Sequence, residues 1–267
     1  MTVANETPRP KWASAITTPK ETALPKSIFL YSPPGTRKTS ISSSIAEVPG
    51  FNRVLMIDME RGAEVIAQNP LLRDRIDVLE IDPLESGAKA KLDAVIDDIY
   101  TNDYGYDAVI LDTLDVAQDV AEKWFKANNP DPKNTFRIYG DLGVWTDEIV
   151  RKLHSAKHFT AIITCHSTEQ KAESGAYRIL PRLSGSSKDA IGGIFSIVAH
   201  LSYGNHPETG ERHLLATVGE SDTTIAKNRF GLNPVIVDLT MPKLYQLINE
   251  RVGKPAPAQT ATKEEQQ

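Results

Sequence analysis

Residues 28–39 read Ile-Phe-Leu-Tyr-Ser-Pro-Pro-Gly-Thr-Arg-Lys-Thr, a short apolar run followed by a turn-rich loop that ends in an amine and a hydroxyl. The pattern G-x-x-x-x-G-K-[ST] wraps phosphates in backbone N–H groups. It aims its lysine at the β- and γ-phosphates and offers its hydroxyl to Mg²⁺. Lys38 and Thr39 stand where that chemistry needs them, but Ser32 and Arg37 replace the two signature glycines, and Gly35 is the one interior glycine. The candidate phosphate-binding stretch is therefore Ser32, Pro33, Pro34, Gly35, Thr36, Arg37, Lys38, Thr39 and Ser40. An apolar strand before it and a Ser/Thr-rich helical stretch from Thr39 to Ala46 would set helix-terminal amides against an anion. Arg37 is the expected weak point, because a Cβ there crowds a backbone path that glycine permits. The bland alternative is an ordinary strand–turn–helix junction.

Other strand ends carry matching chemistry. Tyr106 to Thr113 is an apolar strand closing in Asp112 and a hydroxyl. Beside a phosphate loop such a carboxylate completes a Mg²⁺ shell from the side opposite the loop hydroxyl, here Thr39; alone it could equally cap a helix. In Met56-Ile57-Asp58-Met59-Glu60, Glu60 is placed to orient or deprotonate an attacking water. Asp58 could share that role or support the metal shell, and an ordinary surface carboxylate is the alternative for Glu60. Thr164-Cys165-His166-Ser167 puts His166 at another strand end, as a γ-phosphate sensor or a structural histidine. In Ala226-Lys227-Asn228-Arg229-Phe230-Gly231, Lys227 and Arg229 flank an Asn next to a turn. They form either a solvated basic turn or cations offered to a neighbouring subunit's phosphates.

Taken in order, the phosphate loop, Ile-Asp-x-Glu, the Asp-Thr strand end, the polar strand end and Lys-Asn-Arg-Phe-Gly resemble the RecA/RadA recombinase core over about residues 27–240. The pentapeptide is similar to a signature of bacterial RadA. The compact length is closer to phage-encoded RecA-like nucleotide-binding proteins of recombination and single-strand annealing. The resemblance implies ATP and Mg²⁺ as cofactors, with Lys38 and Thr39 on phosphate and metal. It also implies Glu60 as catalytic carboxylate, Asp112 in the metal shell, His166 as sensor, and Lys227 and Arg229 reaching a neighbour's nucleotide in a ring or filament. Single-stranded DNA is the implied partner, with a single-strand binding protein as a further candidate. Two stretches, about 126–143 and 167–188, match the loops that approach DNA in that family. The second carries Lys171, Tyr177, Arg178, Arg182 and Lys188; the first carries Lys126, Lys133, Phe136, Arg137 and Tyr139. Plain surface loops are the alternative. A nucleotide-dependent loading module with little hydrolysis is the rival function. A small-molecule kinase is disfavoured because no arginine-rich lid is evident.

These residues need a sheet to hold them. The apolar runs Ile28–Tyr31, Val54–Ile57, Val78–Ile81, Ala108–Leu111, Thr160–Thr164 and Ile197–Leu201 alternate with helix-like stretches at 61–70, 86–100, 113–127 and 142–156. Continuous apolar runs suit strands buried on both faces of a parallel sheet, so the pattern predicts a doubly wound α/β core flanked by helices, and the resemblance implies that this core is RecA-like. His213–Val218, Thr224–Ala226 and Val235–Leu239 predict an antiparallel C-terminal side. The expected organisation is a flexible arm over residues 1–26, an ATPase domain over 27–252 and a disordered tail over 253–267. With 30 Lys and Arg against 35 Asp and Glu, the net charge of −5 does not advertise nucleic-acid binding, which must come from a local surface. The lone Cys165 excludes an internal disulfide framework, and no long apolar span or secretory leader is evident. A cytoplasmic protein is expected, in the bacterial host if phage-encoded.

Overall fold

The computed structural model describes residues 24–131, 135–171, 175, 177–185, 187–205, 209–219 and 221–251. Most of the expected arm, the tail and Lys133 lie outside the described residues. In chain order the elements begin with β1 (Ser27–Ser32), α1 (Lys38–Ser43), a 3-10 turn (Ser44–Glu47), β2 (Val54–Asp58), α2 (Glu64–Ala67), α3 (Pro70–Arg73) and β3 (Ile76–Glu80). There follow α4 (Ala88–Thr101), β4 (Ala108–Asp112), α5 (Leu114–Asn128), α6 (Thr135–Ser155), β5 (Thr160–Lys171) and β6 (Tyr177–Pro181). The chain then runs through α7 (Ser187–Ile194), β7 (Ile197–Asn205), β8 (Arg212–Thr217), β9 (Lys227–Asn228), β10 (Val235–Val237) and α8 (Met241–Arg251).

The sheet order is β10-β8-β7-β1-β5-β4-β2-β3, with β6 on β5 and β9 on β7. Strands β7, β1, β5, β4, β2 and β3 run parallel. Strands β8 and β10 add an antiparallel flank. All residues of β1, β2 and β4 are buried, as expected of strands covered on both faces. Strand β3 departs from that pattern. It is the sheet edge, Asp77 and Val78 are exposed, and it starts two residues earlier than its apolar run suggests.

Alternating side chains divide the core in two. Phe29 and Tyr31 face one hydrophobic layer with Leu92, Ile96, Leu142, Ile149 and Phe195. Ile28 and Leu30 face the other, with Ile41, Ile45, Leu244 and Ile248. The period of two along a strand and of three or four along a helix produces this split. In α8 the buried residues are Met241, Leu244, Tyr245 and Ile248, and the Met241 N–H is capped by Ser44 Oγ at 2.9 Å. The last helix is thereby pinned to the turn that follows the phosphate loop.

Three expectations are corrected. The stretch 126–143 is mostly helix, because α6 starts at Thr135, with Phe136, Arg137 and Tyr139 on its first turns. The stretch 167–188 is a β-hairpin extending β5 into β6, followed by the start of α7. No strand forms over Thr224–Ala226; pairing with β7 starts at Lys227. Among the described residues no helix is long and apolar enough to cross a membrane.

Candidate functional site

The parallel strands β1, β2, β4 and β5 deliver their carboxyl ends to one edge of the sheet, where ligands of open α/β sheets bind. After β1 the chain closes on itself: Thr36 Oγ1 donates to the Pro33 carbonyl at 2.7 Å and also bonds the Ser32 hydroxyl. Gly35 has φ 76° and Arg37 has φ 63°. Arg37 therefore takes the left-handed conformation that glycine usually supplies, with its side chain exposed, and its carbonyl accepts the Ile41 N–H at 2.9 Å to start α1. The expected obstruction does not arise; the loop keeps its turn and bears a strain of about 1–2 kcal/mol.

Lys38 follows, only 6 % exposed. Its ammonium makes no hydrogen bond or ion pair among the described residues. Desolvation lowers its pKa, opposed by Glu60, Asp112 and Asp115. An amine on a buried residue, without a bonded partner and beside a turn with Gly35 and Arg37 exposed, suits an anion.

Across from it, Thr39 Oγ1 donates to Asp112 Oδ2 at 2.7 Å, and Thr164 Oγ1 donates to Asp112 Oδ1. Burial pushes the Asp112 carboxyl above its ordinary range; the two threonine hydroxyls counter that shift. The Asp112–Thr113 peptide is cis. Gly62 lies over this pair, and a Cβ added there would sit 3.1 Å from Thr39 Oγ1 and 3.3 Å from Asp112 Oδ2. Its missing side chain leaves a small oxygen-lined cradle. Among the described residues no cluster of three or more His, Cys, Asp or Glu forms a self-sufficient metal site. Mg²⁺ needs no such cluster, since it is held by one or two protein oxygens together with phosphates and water. Thr39 and Asp112 fit that requirement.

Asp58 does something different from what its place suggests. Oδ1 accepts the N–H groups of Glu60 and Gly62 at 2.9 and 3.2 Å, and Oδ2 accepts that of Ala63 at 2.9 Å. Its carboxylate shapes the loop that carries Glu60. The Glu60 carboxyl is raised above its usual range by burial; Asp112 and Asp115 add to this, while His166 and Lys38 oppose it. A carboxylate tuned upward is suited to taking a proton near neutral pH. His166 Nδ1 lies 3.3 Å from Glu60 Oε1.

The loop, Glu60, Asp112 and His166 thus lie close together. Lys227 and Arg229 do not join them. Lys227 Nζ donates to the carbonyls of Gly192 and Gly193 at 2.7 and 3.1 Å, and Arg229 Nη2 reaches Gly193 O at 3.5 Å. Both cap the end of α7, and β9 pairs with the first residues of β7, away from the carboxyl end of β1. Arg182 is half-exposed and is engaged by two carboxylates, bonding Asp115 at 2.9 Å and Asp119 at 2.7 Å. Its charge is balanced within the fold, which argues against the expected DNA contact. Lys171, Tyr177 and Arg178 are exposed on the hairpin, and Lys188 bonds Gln170 at 3.1 Å.

Sequence reasoning missed Asp115, Thr164 and Gly62. Asp115 sits in the first turn of α5, where an acid is ordinary helix-terminal chemistry, so nothing set it apart.

A family model described as an AAA domain matches residues 24–230. The chain belongs to this family. As an AAA-domain protein it is a nucleotide-binding, ATPase-type protein of the P-loop NTPase class, and its mostly parallel sheet flanked by helices is a RecA/RadA-like core. No curated protein matches the chain. Similar solved structures include the flagellar accessory protein FlaH from Methanocaldococcus jannaschii, 15% identical, covering 79% of this chain and 84% of that one with a TM-score of 0.45. The RadB recombinase is 11% identical over 79% and 85% of the two chains, with a TM-score of 0.44. An ATPase from the type III secretion system of pathogenic bacteria is 18% identical over 66% and 52%, with a TM-score of 0.40.

Proposed function

We propose that this AAA-domain protein binds MgATP and hydrolyses it, and that it uses the cycle on single-stranded DNA in recombination or annealing of the phage type. The observation that carries the nucleotide half is Lys38, a buried residue whose ammonium has no bonded partner among the described residues and lies within the field of Asp112, the partner of Thr39. Lys38 and the loop amides bind the phosphates, and Thr39 and Asp112 are the residues that would hold Mg²⁺, which supplies charge neutralisation at the phosphate oxygens. Glu60 orients the attacking water and takes its proton, with its raised affinity for that proton set by burial. His166 stands beside Glu60 as the γ-phosphate sensor.

The DNA half rests on the hairpin. Lys171, Tyr177 and Arg178 are exposed on paired strands, with Lys171 opposite Tyr177 in register. Cations that track a backbone beside an aromatic that stacks on bases suit a single strand. Within one chain Lys227 and Arg229 lie away from the phosphate loop, which favours donation to a neighbour's nucleotide in a ring or filament over a role at their own. The alternative is a loading module with slow turnover, partnering a single-strand binding protein; Ser32 and Arg37 in glycine positions favour it.

Steady-state phosphate release with and without single-stranded DNA tests the reading. Turnover that DNA raises and that Glu60→Gln cuts by about 10²- to 10⁴-fold, with ATP still bound, is the expected result. Tight ATP binding with negligible turnover in the wild type selects the loading module. DNA without effect on either binding or turnover removes the DNA half.

A further inference from the structure

Behind the nucleotide site a line of charged groups runs from Glu60 to the base of the hairpin. Glu60 Oε1 lies 3.3 Å from His166 Nδ1, and the same nitrogen lies 2.9 Å from Asp115 Oδ2. Asp115 Oδ2 also takes Arg182 Nε at 2.9 Å, and Arg182 Nη2 continues to Asp119 at 2.7 Å. The backbone reinforces the line: His166 N–H donates to Asp115 Oδ1 at 3.0 Å, and Arg182 N–H donates to the His166 carbonyl at 2.8 Å. The Asp115 side chain is fully buried.

Burial alone would raise the Asp115 carboxyl, yet the hydrogen bonds from His166 and Arg182 outweigh it and hold the group well below the ordinary carboxylate range. An ionised carboxylate only accepts, so His166 Nδ1 must carry the proton and point it at Asp115. That choice fixes the imidazole plane and leaves Nε2 as the nitrogen free to change partner. A second-sphere carboxylate that sets a working histidine in this way is worth about 10- to 100-fold in comparable metal sites.

We propose that Asp115 is a positioning residue: it fixes the tautomer and orientation of His166 beside Glu60 and, by sharing its carboxylate with Arg182, ties the nucleotide site to the β5–β6 hairpin. The proposal rests on the reading of Glu60 as the base that activates water. Arg182 is then a strut from Asp115 to Asp119, and the hairpin cations without such a carboxylate pair are Lys171 and Arg178. A displacement of His166 strains the Asp115–Arg182 pair, and a displacement of the hairpin strains His166 in turn.

The test is a double-mutant cycle in the full chain, read as kcat and as affinity for an ATP analogue. Asp115→Asn lowers kcat by about 10- to 100-fold with analogue affinity within about twofold. In a His166→Gln background the same substitution costs less than about threefold, because its target is already gone. Losses that multiply in full, or affinity that falls in step with kcat, overturn the proposal. Should Asp115→Asn fail to fold, Arg182→Gln supplies the reading, since its side chain is 47% exposed. Hydrogen exchange of amides 167–171 and 177–180 should then rise, and saturating nucleotide should protect them less than in the wild type. Unchanged exchange refutes the tie to the hairpin. Glu60→Gln run alongside separates the two claims. Wild-type turnover in that variant removes the base reading and this proposal with it, whereas an inactive Glu60→Gln with a fully multiplicative cycle removes this proposal alone.

Discussion

Asp58 and Asp112 end neighbouring parallel strands, stand opposite each other in register and are both buried. Their surroundings make them different groups. Asp58 faces three backbone N–H donors from the loop that follows it. Asp112 faces two hydroxyls, those of Thr39 and Thr164. An N–H can only donate and is fixed by the backbone, whereas a hydroxyl rotates and accepts as readily as it donates. The first carboxylate is locked into architecture. The second is desolvated, raised in pKa and ready to trade its weak partners for a cation. Position in the sheet does not assign the role; the type of donor does.

Of the two aspartates, Asp112 replaced by Asn has the larger expected effect on chemistry. The amide carbonyl accepts from one threonine, and its NH₂ donates to the other hydroxyl, so the fold is kept. MgATP turnover should fall by about 10²- to 10³-fold. The melting temperature of nucleotide-free protein should match or exceed that of the wild type, since a buried charge has been removed. Asp58→Asn should do the reverse in stability. Its NH₂ must face backbone donors, at a cost of about 1–3 kcal/mol, read by urea denaturation. Stability changes of the same sign in the two variants would break the comparison.

Acid titration sharpens it. The folded-state pKa of Asp112 is raised by burial, so between the unfolded and folded values the folded chain binds more protons than the unfolded one. The Asp112 contribution to stability therefore improves as pH falls through that window. Any stability advantage of Asp112→Asn over the wild type, measured in chelator without nucleotide, should be widest at neutral pH and shrink on acidification. An advantage that grows toward acid contradicts the desolvation account.

The smallest effects belong to two arginines in left-handed conformation, one on each side: Arg61 at φ 60°, in the loop that Asp58 shapes, and Arg37 at φ 63°, in the phosphate loop. Glycine at either place relieves strain but adds freedom to the unfolded chain, so the net change stays within about 1 kcal/mol. Arg61→Gly also loses an exposed ion pair to Asp82, worth little. Nucleotide affinity in Arg37→Gly should equal or exceed that of the wild type. A large loss would show that the Arg37 side chain itself contacts phosphate.

The parts of the molecule legible in the sequence share one property: their signal is local. Six parallel strands announce themselves as apolar runs, and Lys38, Thr39, Glu60, Asp112 and His166 lie at or just beyond the strand ends those runs define. What escaped depends on distant partners. Asp58 and Glu60 are two residues apart in the same phrase, and only the folded loop shows that one builds and the other faces the site. Arg182 looks like its basic neighbour Arg178 until α5 brings Asp115 and Asp119 against it. The hairpin was read as a loop because Gly and Ser in 167–188 outweigh the short pairing of Ser167–Lys171 with Tyr177–Pro181. The early start of α6 was hidden by Gly140 and Gly143, which lower helix propensity without breaking a helix packed through Ile138, Leu142 and Trp145.

Nucleotide binding in this loop is proposed to turn on Lys38, a buried residue whose ammonium has no bonded partner among the described residues. Equilibrium titration of the wild type and Lys38→Ala with a fluorescent ATP analogue, in Mg²⁺ and again in chelator, tests it most directly. The account predicts saturable, Mg²⁺-dependent binding to the wild type and a loss of at least about 100-fold in the variant, the scale of about 2.7 kcal/mol for a lost charge-assisted contact to phosphate. The far-ultraviolet circular dichroism of the two proteins should remain the same. Equal affinity in both, or no saturable binding to the wild type, would contradict it.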